Sequence, residues 1–168
     1  MRRQLRTLLF TFLATLGIVE ALGATYHLEQ VTSVEAGSLY VFEQDGYVMG
    51  NTISSSALQT TSSFSLTGLT SDEIYIWTLE SASGGFYMKN YYQSNHDSST
   101  SRCYLNNTSS TTVALGSKNS IWKFTFEDDG TVLIQNTSNN NRFLGYTNAT
   151  SHAYKAYATR KLDKYMIS

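Results

Sequence analysis

The chain of 168 residues contains no proline and a single cysteine, Cys103. One cysteine excludes a disulfide framework and any zinc site built on thiolates, and three scattered histidines cannot replace one. We therefore expect no metal and no other cofactor. Charged residues are also few, at 15% of the chain, and the formal net charge of −1 gives no basis for binding nucleic acid.

The first residues have the composition of an export signal. Arg2, Arg3 and Arg6 precede a mostly apolar stretch at residues 8–19, and small residues follow at 21–24. The apolar run is interrupted and shorter than the roughly 20 residues that a membrane-spanning helix needs. We therefore predict a signal peptide over residues 1–24, a single domain over residues 25–168, a secreted or cell-surface location, and no membrane span after cleavage.

Short alternating segments recur along the rest of the chain. No window after residue 19 shows a 3.6-residue apolar period, whereas apolar and polar residues alternate in LYVFEQ, IYIWTLE and IWKFTFE. In the last segment, Trp122, Phe124 and Phe126 share one face of a predicted strand. A glutamate lies near the end of each segment, at Glu43, Glu80 and Glu127. The pattern indicates a unit that repeats three times.

Each of these glutamates precedes a tight turn that contains glycine. The dipeptides Asp45-Gly46, Gly84-Gly85 and Asp129-Gly130 are typical of hairpins, because glycine readily adopts the positive φ angles of such turns. Two further strand candidates follow each hairpin: ALQTT and FSLTG, CYLNN and TVALG, RFLGY and AYKAY. Four strands in each of three rounds predict an all-β fold, a β-trefoil-like closed barrel with three pseudo-repeats, and another small β-barrel or a sandwich is the fallback.

Several segments carry a resemblance to a known module. The chain resembles a non-catalytic β-barrel module of secreted and surface proteins of Bacteroidetes. The segments that carry this resemblance are VTSVEAGSLYVF, WTLE, IWKFTFEDDG and, at the end, NNNRFLGYTN, AYKAYAT and DKYMIS. That module is similar to ricin-type and fascin-like trefoils in its repeat layout. The resemblance implies a binding or accessory role at the cell surface, alongside other domains of a larger protein. Its pattern usually continues a few residues beyond DKYMIS, which is compatible with a truncated C-terminus.

The chain departs from ricin-type lectins in two respects. It has no Q-x-W motif in any round, and it lacks the disulfides of that family. The sugar-binding residues of ricin-type lectins are therefore not carried over to this sequence.

Two sets of residues could in principle support catalysis. His96 and Cys103 are close in sequence, but the loop between them fixes no geometry, and a lone cysteine in a strand is typical of a small packed residue. Asp45, Asp128 and Asp129 would supply carboxylates for glycoside hydrolysis, although aspartate is common in turns because it bonds the local backbone. We expect no enzymatic activity.

A saccharide site requires an exposed ring and neighbouring polar groups. KNYYQSNHD supplies Tyr91 and Tyr92, which a strand would direct to opposite sides. GYTNATSHAYKAY supplies the remaining candidate contacts, Tyr146, Asn148, His152 and Tyr154. Arg142 and Lys155 would assist if the sugar were acidic.

The sequence thus predicts a secreted or cell-surface, lectin-like accessory module that binds a glycan or polysaccharide without catalysis. The alternative is a structural or protein-interaction barrel within a larger surface protein. A glycan hydrolase is a third hypothesis, which would need two carboxylates facing each other across a cleft.

Overall fold

A computed structural model describes residues 30–62, 73–96, 102–138, 141–149 and 151–158, together with the backbone of three short strands before residue 30. Most of the predicted signal peptide at 1–24 and the predicted strand FSLTG lie outside the described residues. In the described part of the chain, no helix is both long enough and apolar enough to cross a membrane.

The protein is all-β, as the alternating sequence predicts. Its strands are β1 Gln4–Leu5, β2 Leu8–Leu9, β3 Thr15–Leu16, β4 Leu39–Tyr40, β5 Phe42–Gln44, β6 Tyr47–Ser54, β7 Ala57–Ser62, β8 Trp77–Ala82, β9 Gly85–Asn90, β10 Tyr104–Asn107, β11 Val113–Gly116, β12 Trp122–Phe126, β13 Val132–Asn136, β14 Phe143–Thr147 and β15 Ala153–Tyr157. A 3-10 helix spans Glu73–Tyr75, and α1 spans Tyr91–His96.

One sheet holds every described strand except the pair β1 and β3. Its hydrogen-bonded order is β11-β10-β9-β12-β13-β14-β15-β7-β6-β5-β2, with β8 pairing both β9 and β4, and this order does not return to its first strand. All of its pairings are antiparallel except the parallel contact between β2 and β5. The sheet formed by the described residues is therefore not closed, and closure into a trefoil or barrel stays a prediction.

The pairings link the three rounds of the sequence to one another. β4 of the first round pairs with β8 of the second, and β9 of the second pairs with β12 of the third. β15 of the third round pairs with β7 of the first. The hairpins of the second and third rounds also share one register, because Trp77 lies opposite Asn90 and Trp122 lies opposite Asn136.

The core contains one large aromatic residue at the start of each round. Tyr40, Trp77 and Trp122 are all completely buried. The indole Nε1 of Trp77 donates to Met49 O at 3.0 Å, and that of Trp122 donates to Leu105 O at 2.9 Å. Each indole is thus satisfied by the backbone of an earlier strand, as a buried N–H group requires.

The first round departs from strict alternation at Val41. Tyr40, Val41 and Phe42 are all buried, and the strand is interrupted at Val41 into β4 and β5. Val41 packs with Val48 and Ile76 in a second, smaller apolar cluster. Tertiary packing on both sides of this segment therefore overrides the two-residue period.

The hairpin turns differ in how well they match the sequence pattern. Asp45 and Gly46 both have positive φ, at 54° and 76°, as the predicted dipeptide requires. In the second round only Gly84 has positive φ, because Gly85 already begins β9. A Cβ at Gly85 would lie 2.5 Å from Trp122 O, so this glycine allows β9 and β12 to approach each other.

The segment after β9 is a helix, and the predicted strand through Tyr91 and Tyr92 is wrong. Asn90 Oδ1 accepts a hydrogen bond from Gln93 N at 3.0 Å, which is the bond of a helix N-cap. The capped turn leads into α1, so Tyr91 and Tyr92 do not project to opposite sides of a sheet.

Candidate functional site

Three rings lie together where the first and third rounds meet. Tyr47 and His152 stack with their ring centroids 3.6 Å apart and their planes 9° apart. Tyr146 lies beside them, 5.9 Å from His152 and 6.1 Å from Tyr47, with planes inclined by 18° and 24°. We call Tyr47, Tyr146 and His152 the ring platform.

His152 is the solvent-facing member of the ring platform. Its side chain is exposed, whereas Tyr47 is half-buried and Tyr146 retains only 7% of its accessible surface. Because Tyr47 stacks on one face of the imidazole, a ligand that stacks on this ring would have to approach the opposite face. A flat ring held in this way is suited to stacking on another flat surface.

Hydrogen bonds fix the orientation of His152. The Tyr146 hydroxyl and His152 Nδ1 share a hydrogen bond. The Thr60 hydroxyl donates to His152 O at 2.8 Å, which ties the backbone of the histidine to β7. The imidazole is therefore positioned before any ligand arrives, which lowers the entropy cost of binding.

Tyr154 supports the ring platform from inside the protein. It is fully buried, its ring centroid is 5.6 Å from that of Tyr146, and its hydroxyl donates to Tyr47 O at 3.2 Å. Burial raises the pKa of Tyr154 well above its usual range, and the nearby Glu43, Tyr146 and Asp45 act in the same direction. Tyr154 is thus a neutral structural residue whose ring cannot stack on a saccharide.

Asp45 is an acidic residue that the charge of His152 reaches. Desolvation raises the pKa of the Asp45 carboxyl above its ordinary value, and the His152 imidazole opposes that shift. Asp45 is exposed in the turn that leads directly into Tyr47, so an acceptor for sugar hydroxyls lies next to the ring platform.

The remaining predicted contacts are placed differently. Asn148 is exposed in the loop after β14, on the chain segment that leads to His152. Tyr91 is half-buried against the Val41, Val48 and Ile76 cluster, and Tyr92 is exposed at 40% on α1. The structure therefore brings Tyr146, His152 and Tyr154 together, while Tyr91 and Tyr92 belong to a separate helix.

A second polar and aromatic group lies on β8, β9, β10 and the loop after β11. The Glu80 carboxylate forms ion pairs with Lys89 at 3.3 Å and with Lys118 at 2.5 Å. It also accepts a hydrogen bond from the Tyr104 hydroxyl at 3.0 Å. Lys118 Nζ also lies 5.4 Å from the ring centroid of Tyr87 and 5.3 Å from that of Tyr104. We call this group the lysine clamp.

The contacts of the lysine clamp lower the pKa of Glu80. Desolvation would raise the pKa of Glu80, but the hydrogen bonds from Lys118, Tyr104 and Lys89 outweigh it and hold that pKa below its ordinary value. The ammonium groups cover the rings and are paired with the carboxylate. The clamp therefore fits a role in holding adjacent strands together better than a role in ligand binding.

Two of the catalytic candidates, Cys103 and Asp129, have surroundings that the structure describes. Cys103 is fully buried, and the side chain of His96 lies outside the described residues, as His27 does. Asp129 Oδ1 accepts from the backbone N and hydroxyl of Thr131, so this carboxylate serves its own turn. In the described part of the chain, no three metal-ligating side chains come together.

Comparisons of the chain with protein-family models, with curated proteins and with solved structures found no match. The resemblance to a Bacteroidetes surface module therefore stays a prediction from the sequence.

Proposed function

We propose that the protein is a non-catalytic carbohydrate-binding module whose site is the ring platform, with Asp45 and Asn148 at its edge. The observation that carries this proposal is the exposed His152 ring, stacked on Tyr47 and bonded to Tyr146. Rigid rings beside carboxylate and amide groups match what saccharide recognition requires. Secretion through the signal peptide at 1–24, and attachment to a larger surface protein, belong to the same proposal.

We further propose that the sheet closes into a β-trefoil-like barrel. Supporting this are the pairings of each round with the next, including that of the third with the first. β4 and β5 are separated only by Val41, yet β4 pairs with β8 and β5 pairs with β6. If residues 39–44 act as one bent strand, the order continues from β5 through β4 and β8 back to β9, which closes a ring that leaves β10 and β11 outside it. The ring platform then lies at the junction of the first and third rounds.

The second candidate function is a structural or protein-interaction barrel without a small ligand. The burial of Tyr146 and Tyr154 favours it, because two of the four tyrosines expected to contact a glycan serve packing instead. In that case the ring platform would only stabilise the junction between β6, β14 and β15.

A glycan and polysaccharide array separates the two candidates. The chain over residues 25–168 should bind one saccharide class, and His152→Ala should reduce binding at least tenfold because it removes the exposed face of the platform. Tyr92→Ala removes another exposed ring, on α1, and is the matched control, which should bind like the parent. Silence of the folded parent across the array would contradict carbohydrate binding and favour the structural role.

A further inference from the structure

The two ring nitrogens of His152 have different surroundings. Nδ1 shares a hydrogen bond with the hydroxyl of Tyr146, whose side chain is buried. Within the described residues, no hydrogen bond of His152 uses the second nitrogen, Nε2, although the side chain is exposed. Nδ1 is thus occupied by the protein, and Nε2 is the nitrogen that remains for a ligand.

The hydrogen bond with Tyr146 determines which nitrogen carries the hydrogen of the neutral imidazole. A neutral imidazole has one N–H donor and one acceptor nitrogen, and a partner at one nitrogen fixes the state of the other. A phenol is a stronger acid than a neutral imidazole N–H, and the acceptor nitrogen of imidazole is a stronger base than a phenol oxygen. The Tyr146 hydroxyl is therefore the donor and Nδ1 the acceptor, which leaves the hydrogen on Nε2.

We infer that Tyr146 fixes His152 as an Nε2–H donor, and that the ring platform thereby selects a saccharide that carries an acetamido group. This selectivity rests on the proposed function and makes Tyr146 a positioning residue. The carbonyl oxygen of an acetamido group only accepts hydrogen bonds, so it complements an N–H group that only donates. A protonated amino group only donates, so it cannot pair with Nε2–H.

The position of the donor favours an acetamido group over a hydroxyl. Tyr47 stacks on one face of the imidazole, so a sugar would stack on the opposite face, above the ring plane. The Nε2–H bond lies in that plane and points away from the ring edge. A hydroxyl is bonded directly to the sugar ring and stays above the plane with it. The carbonyl oxygen of an acetamido group lies two bonds further out, so it can reach the ring edge.

A nitrogen NMR measurement on the whole chain tests the position of the proton without any ligand. Long-range proton–nitrogen correlation separates the two tautomers, because protonated and unprotonated ring nitrogens resonate at clearly different shifts. At a pH that keeps the imidazole neutral, we expect the unprotonated signal at Nδ1 of His152 and the protonated one at Nε2. Tyr146→Phe keeps the ring and removes the hydroxyl, so it should shift the Nδ1 signal. A protonated Nδ1 in the parent, or an Nδ1 signal that Tyr146→Phe leaves unchanged, would overturn the role of Tyr146.

Two oligosaccharides that differ only at C2 test the selectivity by isothermal titration calorimetry on the whole chain. They are a β-1,4-linked oligomer of N-acetylglucosamine and the glucose oligomer of the same linkage and length. The parent should bind the N-acetylated oligomer about threefold to tenfold more tightly, which is the contribution of about one hydrogen bond. His152→Phe keeps a flat ring and removes the donor, so it should bind both oligomers alike. Tyr92→Ala, which removes an exposed ring on α1, is the control and should keep the preference.

The outcomes separate this selectivity from carbohydrate binding itself. Equal binding of the two oligomers by the parent, or an unchanged preference in His152→Phe, would overturn the selectivity and leave carbohydrate binding intact. If neither oligomer binds, the array decides: ligands that carry an acetamido group support the selectivity, and ligands without one overturn it. Silence on the array as well would overturn both.

Discussion

Replacing Asn90 by alanine should be among the most destabilising polar substitutions in the described residues. The side chain is fully buried, and both ends of its carboxamide are used. Its Nδ2 donates to Ile74 O at 2.8 Å and to Ile76 O at 3.2 Å. Its Oδ1 accepts from Gln93 N at 3.0 Å and from Asn51 Nδ2 at 3.1 Å. One residue thus links the 3-10 helix, β6, β9 and α1.

The expected loss follows from the groups that would be left unpaired. Removing the cap of α1 costs about 1 kcal/mol. An acceptor left without its partner costs about 1 to 3 kcal/mol, and Ile74 O is the group most affected, since Ile76 O keeps its bond from Tyr91 N. We therefore expect Asn90→Ala to lower the free energy of unfolding by about 2 to 4 kcal/mol. For a chain of this size that is a fall in Tm of roughly 5 to 12 °C.

Urea and thermal unfolding, followed by tryptophan fluorescence, measure this loss. Asn95→Ala is the matched control, because Asn95 is exposed on the same helix and its removal should change stability by less than about 0.5 kcal/mol. If Asn90→Ala unfolds within about 1 kcal/mol of Asn95→Ala, the carboxamide does not connect these elements as described.

Two further predictions concern strand junctions. Gly85→Ala should lower the free energy of unfolding by about 1 to 3 kcal/mol, because its Cβ would collide with Trp122 O, and equilibrium urea unfolding measures the loss. Glu80→Gln should remove the contribution of the Glu80 carboxylate to the free energy of unfolding. In the parent this contribution is present at neutral pH, and it is lost as the pH falls through the depressed pKa of Glu80. Between about pH 6 and pH 3 the Tm of the parent should therefore fall further than that of Glu80→Gln.

Each of these predictions has a matched control. Gly84→Asn changes a neighbouring glycine with positive φ and open space around it, and asparagine tolerates that conformation, so it should be far less destabilising than Gly85→Ala. Glu127→Gln removes a carboxylate at the equivalent position of the third round. Equal losses for the two glycine variants would contradict the close approach of β9 and β12. Parallel Tm profiles for the parent and Glu80→Gln would contradict the lysine clamp.

The strands and most hairpins were predictable because their signals are local. The alternation around Trp122 and the Asp45-Gly46 dipeptide each specify a conformation within a few residues, and the structure confirms both. The helix at Tyr91–His96 was missed although Asn90 and Gln93 have the spacing of a capping box. Two adjacent tyrosines favour a strand by propensity, and this cap outweighs that preference.

The ring platform could be predicted only in part. Tyr146 and His152 are six residues apart, and the sequence grouped them as a candidate site. Tyr47 is about a hundred positions earlier, and nothing local links it to His152, because their contact depends on the pairing of β15 with β7 and of β7 with β6. The burial of Tyr146 and Tyr154 likewise depends on neighbouring strands, which residue spacing does not specify.

An NMR titration of the His152 imidazole, with the saccharide selected on the array, tests the ring platform as a binding site most directly. The chain has three histidines, so His152→Ala assigns the His152 signals by their disappearance. We expect the ring protons of His152 to shift in a saturable manner, while those of His96, which ends the separate helix α1, remain in place. A saccharide that binds the protein without moving the His152 signals would contradict the assignment of the site to the ring platform.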